Sequence, residues 1–292
     1  MSVGKFLLNK ENLDYVGKNS FKFGKKFIVE KTMRYYDDNQ SDVDEIVSNL
    51  KYMDLESCGS SLDAVLQGIG AHYFEKLFIL TKIFEMHWLG KNRIDFGDSM
   101  EVFKEAQDRD VPVFVAHSHF GASYLVSISL MINNLNISSV GKFPEPVGSI
   151  IKNSSKQISE KFGIGTTNLI NIADPKVDVA WEMFNTLLRG GILSNVFDES
   201  NDFSSEVELL GKKLVGGSGM DQILKKFNDE KVIIVTPFVV RTGEDTFRFE
   251  LDRHYLKDGN IIQSFYNSLG KRVEKYPDQW YFIHELHEAL PK

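Results

Sequence analysis

Residues 111–125 read VPVFVAHSHFGASYL, and the way this stretch divides decides the fold. Its first part, VPVFVAH at 111–117, is an unbroken apolar run rich in β-branched residues, with Pro112 near its start. A run of that length reads as a strand buried on both faces and emerging at its carboxyl edge. Small and polar residues follow, and GASYLVSISLMINN at 121–134 reads as a helix. Strand, polar turn, helix is the repeating unit of a parallel sheet.

The same order recurs toward the C-terminus. ISSVGKF at 137–143 reads as a strand, a helix starts at about 147, LINI at 169–172 is a strand and DVAWEMFNTLLRGG at 178–191 a helix. ILSNVFD at 192–198 reads as a strand ending in an acid, GMDQILKKFNDE at 219–230 as a helix and KVIIVTPFVVR at 231–241 as a strand. TFRFELDR at 246–253 alternates and is a further strand, with an antiparallel setting left open. A helix over 259–277 and the segment QWYFIHELHEALPK close the chain. Between them, 199–218 reads as the longest irregular stretch. Its Gly211, Gly216 and Gly217, with Gly219 just beyond, suit either a lid or backbone approaching a ligand closely, or a plain surface loop.

Toward the N-terminus, Ser99 to Asp108 reads as a short helix. LDAVLQGIGAHYFEKLFILTKIFEMHWL at 62–89 has apolar residues at three- and four-residue intervals, predicting one long or two abutting helices. His72, His87 and Trp88 in it are read as packing or surface residues. SDVDEIVSNLKYMDL at 41–55 looks helical. The reading is an α/β chain with a mostly parallel central sheet flanked by helices on both faces. It forms a single domain over 1–292, with a helical N-terminal portion to about residue 95.

A net charge of −7, from 41 acidic and 34 basic residues, argues against whole-surface attraction to nucleic acid or an anionic membrane. The one cysteine, Cys58, excludes an intrachain disulfide, and no Cys/His spacing resembles a structural zinc site. No apolar stretch has the length of a signal peptide or spanning helix. The expectation is a cytoplasmic protein with no transmembrane segment, whose membrane contact, if it has any, is peripheral at the inner face.

Chemistry concentrates in AHSHFGASY at 116–124. His117 and His119 share one face if both lie on the strand and diverge if the turn begins at residue 118. A histidine between an apolar wall and a helix N-terminus is expected to stay neutral near pH 7, as a general base for an acyl acceptor requires. The alternatives are a histidine hydrogen-bonded in a strand-end turn, or a metal site completed by Asp198 or His284, for which no third ligand is fixed. The absence of GxSxG makes a serine-elbow hydrolase unsuitable.

The segment VPVFVAHSHFGASYL resembles the strand and "H, four residues, acid" motif of the bacterial lipid A biosynthesis lauroyl/myristoyl acyltransferase family, of lysophospholipid acyltransferase-like fold. The usual family text is close to AHFGNWE. Matching it to SHFGASY places the family's catalytic histidine on His119 and retains Phe120 and Gly121, while Tyr124 stands where the family has its catalytic carboxylate. ILSNVFDES at 192–200 resembles the family's strand leading to an aspartate. The block VELLGKKLVGGSGMDQILKKFNDEKVIIVTPFVVR carries its loop glycine to Gly211, its small turn residues to Gly217 and Ser218, and its post-strand arginine to Arg241. In the C-terminal stretch Tyr276, Pro277, Gln279, Tyr281 and His284 match, whereas Leu286 replaces an arginine. The family's arginine-bearing middle segment is represented only by Lys142 and Lys152, and its N-terminal membrane helix has no counterpart. Both departures point away from a phosphorylated lipid A acceptor.

The resemblance implies an acyltransferase taking its acyl group from an acyl carrier protein or coenzyme A thioester, with no tightly bound cofactor and no metal. His119 is the expected base. Tyr124 is expected to hydrogen-bond its ring or the substrate, and Asp198, followed by Glu199, to supply the missing carboxylate from another strand end. The amides of the 119–122 turn or Arg241 are expected at the oxyanion. His117, Phe120, Gly121, Gly217, Ser218, Arg241 and His284 are the expected substrate-side residues, His284 with a structural role as its alternative. Lys212, Lys213, Lys225 and Lys226 form the expected docking patch for an acidic carrier protein. The competing reading is a lipid- or acyl-carrier-binding protein of the same fold without turnover.

Overall fold

A computed structural model describes residues 2–59, 61–145, 147–199, 204–217 and 219–290. The N-terminal part is helical: α1 (Val3–Leu7), α2 (Lys10–Lys18), α3 (Phe21–Asp37), α4 (Gln40–Tyr52), α5 (Leu62–Thr81) and α6 (Ile83–Arg93). Residues 62–89 thus form two abutting helices, with the break at Lys82 (φ −126, ψ 36). Then come β1 (Ile94–Asp95), α7 (Glu101–Asp108), β2 (Val113–His117), α8 (Leu125–Ile132), β3 (Ile137–Gly141), α9 (Val147–Phe162), β4 (Thr167–Asn171) and α10 (Val179–Leu188). The remainder is β5 (Ile192–Val196), β6 (Ser204–Leu209), β7 (Lys212–Gly217), α11 (Gly219–Leu224), β8 (Ile233–Arg241), β9 (Phe247–His254), α12 (Ile261–Lys275) and three 3-10 segments, Leu256–Asp258, Pro277–Gln279 and Tyr281–Ala289. Side-chain caps mark several starts: Ser61 accepts from Ala64 N, Asp178 from Trp181 N and Asn260 from Gln263 N. Each such cap contributes about 1 kcal/mol.

The main sheet has the order β1-β9-β8-β2-β5-β3-β4. Strands β8, β2, β5, β3 and β4 run parallel; β9 is antiparallel to β8, the setting left open for 246–253, and β1 is parallel to β9. Every residue of β2 from Val113 to Ala116 is buried, and so is every residue of β8 from Ile233 to Val240. Side chains alternate between faces along a strand, so continuous burial means that both faces of these central strands are covered. One buried apolar cluster includes Val3 and Leu7 of the N-terminal helices, the central strands and Ala289 near the end.

Two expectations are corrected. Within the stretch expected to be irregular, the described residues 204–217 form an antiparallel hairpin of β6 and β7, turning at Leu210 (φ 52) and Gly211 (φ 74). Two consecutive positive φ values are what a tight two-residue hairpin turn requires, and Leu210 adopts one despite its Cβ. The helix expected over 219–230 stops at Leu224, and Asn228 caps the following turn by accepting from Glu230 N and Lys231 N. Among the described residues no helix is long and apolar enough to cross a membrane.

Candidate active site

The site is built by strand register. Strands β2 and β5 are parallel neighbours, and His117 pairs with Val196. Phe197 N donates to His117 O at 3.0 Å, extending the ladder past both strands. His119 and Asp198 stand at equal offsets beyond that registered pair, so they meet at the carboxyl edge of the sheet, where ligand sites of such sheets gather. Asp198 Oδ2 accepts the backbone N–H of His119 at 2.8 Å, and its Oδ1 lies 3.0 Å from His119 Nδ1. A carboxylate only accepts, so Nδ1 carries a proton and Nε2 is the working nitrogen. Glu199 Oε1 lies 3.3 Å from Nε2. Exposure is graded: the Asp198 side chain is 1% exposed, His119 17% and Glu199 61%.

Burial alone would make a charged His119 unfavourable, but the Asp198 carboxylate, by its field and its hydrogen bond, outweighs burial, and Glu199 and Glu285 add to it. The pKa rises to about 9. This corrects the expectation of an imidazole neutral near pH 7, because carboxylates rather than an apolar wall dominate around the ring. The raised value means that protonated His119 stabilises the fold below its unfolded pKa, and that this contribution is lost as pH rises through about 9. Conversely the neutral base form grows over that same rise. A reaction using His119 as base accelerates by about tenfold per pH unit until the ring is neutral. Glu199→Gln removes one charge that holds the proton, and the rising limb of a kcat/KM–pH profile is expected to move to lower pH; an unmoved limb would separate the limb from His119.

His117 diverges from His119 because the turn begins at Ser118, one of the two settings left open. Its Nδ1 lies 3.0 Å from Ser194 Oγ, and burial pulls its pKa down to about 4, leaving a neutral tether between β2 and β5. Among the described residues no group of His, Cys, Asp and Glu is arranged to hold a metal. Tyr124 precedes α8, and its ring centroid is 4.9 Å from that of His72, with Lys76 Nζ 5.8 Å from its centre. Burial pushes the Tyr124 hydroxyl well above its usual range, so it stays a neutral phenol.

Phe120 is 1% exposed and packs edge-on to Phe238, a core position rather than a substrate wall. Gly121 has φ 64, and a Cβ there would sit 2.2 Å from Val239 O, so the turn fits against β8 only as glycine. Three of the four amides expected at an oxyanion are already committed: His119 N to Asp198, Gly121 N to Gln279 O and Ala122 N to Val239 O. Arg241 is committed as well, with Nε and Nη2 on the two oxygens of Glu75 at 2.7 and 2.8 Å and Nη2 also on Gly121 O at 2.8 Å. It holds the turn that carries His119 to α5. Gly217 ends β7 opposite Ser204, and Ser218 lies outside the described residues. His284 Nδ1 donates to Tyr281 O at 2.7 Å, and its ring lies 4.4 Å from that of Tyr281. In the expected docking patch, Lys213 and Lys225 pair with Glu206 and Asp221, and Lys212 lies over Tyr52.

Helix α5 contributes a face that the sequence reading assigned to packing. His72 stacks on Tyr281 at 3.6 Å and lies 6.2 Å from His119, Glu75 takes Arg241, and Lys76 covers Tyr124. The signal was available: His72, Glu75 and Lys76 stand at i, i+3 and i+4 in an otherwise apolar run, hence on one face. Neither a protein-family model nor a curated protein matches the chain.

Proposed function

We propose that this chain is an acyltransferase of lysophospholipid acyltransferase-like fold, moving an acyl group from an acyl carrier protein or coenzyme A thioester to a hydroxyl or amine acceptor. The observation that carries the reading is the Asp198–His119 pair, with Nδ1 held at 3.0 Å by a buried carboxylate and Nε2 3.3 Å from the exposed Glu199. A non-catalytic binding protein has no need of a buried carboxylate orienting a partly exposed imidazole, and that contact favours turnover over the binding reading. The carboxylate that the resemblance places at Tyr124 comes instead from the adjacent strand end.

In this reaction Nε2 of neutral His119 takes the proton of the acceptor O–H or N–H as that atom attacks the thioester carbonyl. The tetrahedral intermediate collapses with cleavage of the C–S bond, and His119 returns the proton to the departing thiolate. The products are an ester or amide and a free thiol. Asp198 keeps the ring in the tautomer this requires and offsets the positive charge it transiently carries. Contact with a membrane is peripheral, and the setting is cytoplasmic. With a mixed panel of acyl carrier protein and coenzyme A thioesters and hydroxyl and amine acceptors, wild type releases thiol and His119→Ala loses acceptor-dependent release by about 10²–10⁴-fold. Equal release by both proteins would remove His119 from the mechanism.

A further inference from the structure

The surroundings of His119 are rich in carboxylates, which Lys76 and the ring of His119 itself balance only in part, and are lined by rings. Asp198 and Glu199 approach its two nitrogens at 3.0 and 3.3 Å. The rings of Tyr281 and Phe282 lie 6.0 and 6.1 Å from its own, and His72 is 6.2 Å away. His72 is 1% exposed and its Nδ1 has no hydrogen-bond partner. The strongest cation at hand, Arg241, is neutralised by a two-point contact with Glu75. A ring face here already takes a cation, since Lys76 Nζ stands 5.8 Å from the centre of Tyr124. Carboxylates beside aromatic faces, with no uncommitted guanidinium among the described residues around them, favour ammonium over phosphate.

We infer that the acceptor is a primary amine bound as its ammonium ion, recognised by Glu199 and the aromatic walls beside His119. This inference rests on the acyl-transfer reading for its chemistry but not for its binding test. The bound ammonium gives one proton to the Glu199 carboxylate and becomes the neutral amine. The amine nitrogen attacks the thioester carbonyl, its second proton passes to His119 Nε2, the C–S bond breaks, and the thiolate leaves with the proton from His119. The cation also offsets the carboxylate field that keeps the free imidazole protonated, so binding of the acceptor prepares the base.

Hexylamine, 1-hexanol and hexyl phosphate share a skeleton and differ in charge, and calorimetric titration of the full chain at pH 7.5 with each decides the matter. Hexylamine is expected to bind saturably, about tenfold or more tightly than the alcohol, with no binding of the phosphate. Glu199→Gln, a near-isosteric change at a position 61% exposed, is expected to erase most of that advantage while the chain still unfolds in a single cooperative transition. Tighter binding of the alcohol or phosphate, no saturable hexylamine binding, or a Glu199→Gln variant that binds as wild type would overturn the inference. Thioester turnover with an alcohol acceptor alone would leave the acyl-transfer reading standing and remove the amine.

Discussion

Asp198→Asn lowers acceptor-dependent thiol release by about 10²–10⁴-fold while leaving the fold intact. The carboxamide has nearly the shape of the carboxylate, and its oxygen can still accept the His119 N–H now held at 2.8 Å by Oδ2. Its NH2 group then faces Nδ1, where Oδ1 now stands at 3.0 Å. A donor in that place makes Nδ1 the acceptor and moves the ring proton to Nε2, the nitrogen that has to receive one. The base is therefore present in the wrong tautomer, an effect of about four powers of ten where such a carboxylate has been replaced in other enzymes. Loss of the negative charge also lowers the His119 pKa from about 9, so the residual activity should rise at lower pH than in wild type. A steady-state pH series on both proteins reads both effects. A loss below about tenfold would mean that Asp198 only holds the backbone.

Arg241→Ala destabilises the chain by about 3–5 kcal/mol, because it strands a buried charge. The Arg241 and Glu75 side chains are 9% and 2% exposed, and the guanidinium also accounts for the hydrogen bond to Gly121 O. Removing it leaves the Glu75 carboxylate in a closed interior and frees the turn that carries His119. A fall in melting temperature on the order of 10 °C is expected, together with reduced activity in the folded fraction. Replacing both members, as Glu75→Leu with Arg241→Met, removes both charges and should recover much of the stability but not the activity, since the turn still lacks its anchor. If Arg241→Ala melts within about 2 °C of wild type, the pair is not the tie between α5 and β8 described above.

The sheet was legible because its central strands are buried on both faces. VPVFVAH and KVIIVTPFVV are short continuous apolar runs bounded by polar turns, and few other structures accept such runs. The hairpin of β6 and β7 was not legible, because its turn residues are Leu210–Gly211 rather than Asn-Gly or Asp-Gly. Its strands also carry Glu206, Glu208, Lys212 and Lys213, so they lack the apolar character of the main sheet. The short α11 was overextended because LKKFNDE continues a helix-compatible composition past Leu224, where only the Asn228 turn marks the stop.

At the site, the partnership of His119 with an acid from a different strand end was readable, since ILSNVFD ends in an acid and β2 ends in a histidine. That the two strands are neighbours in matching register is a property of topology and was not in the sequence. The protonated state of His119 follows from the same meeting of strand ends: the field and hydrogen bond of Asp198, with Glu199 and Glu285 adding to them, outweigh the burial of the ring. Arg241 looked available for an oxyanion because its partner, Glu75, lies 166 residues away in the chain.

The most direct test measures both products of the reaction. Wild-type chain is incubated with an acyl thioester and hexylamine, then with 1-hexanol, and free thiol and acylated acceptor are quantified together by mass spectrometry. Acyl transfer by the Asp198–His119 pair predicts equal amounts of thiol and acylated acceptor, both abolished in His119→Ala. Thiol accompanied by free fatty acid and no acylated acceptor, or no thiol from a folded protein with either acceptor, would contradict it.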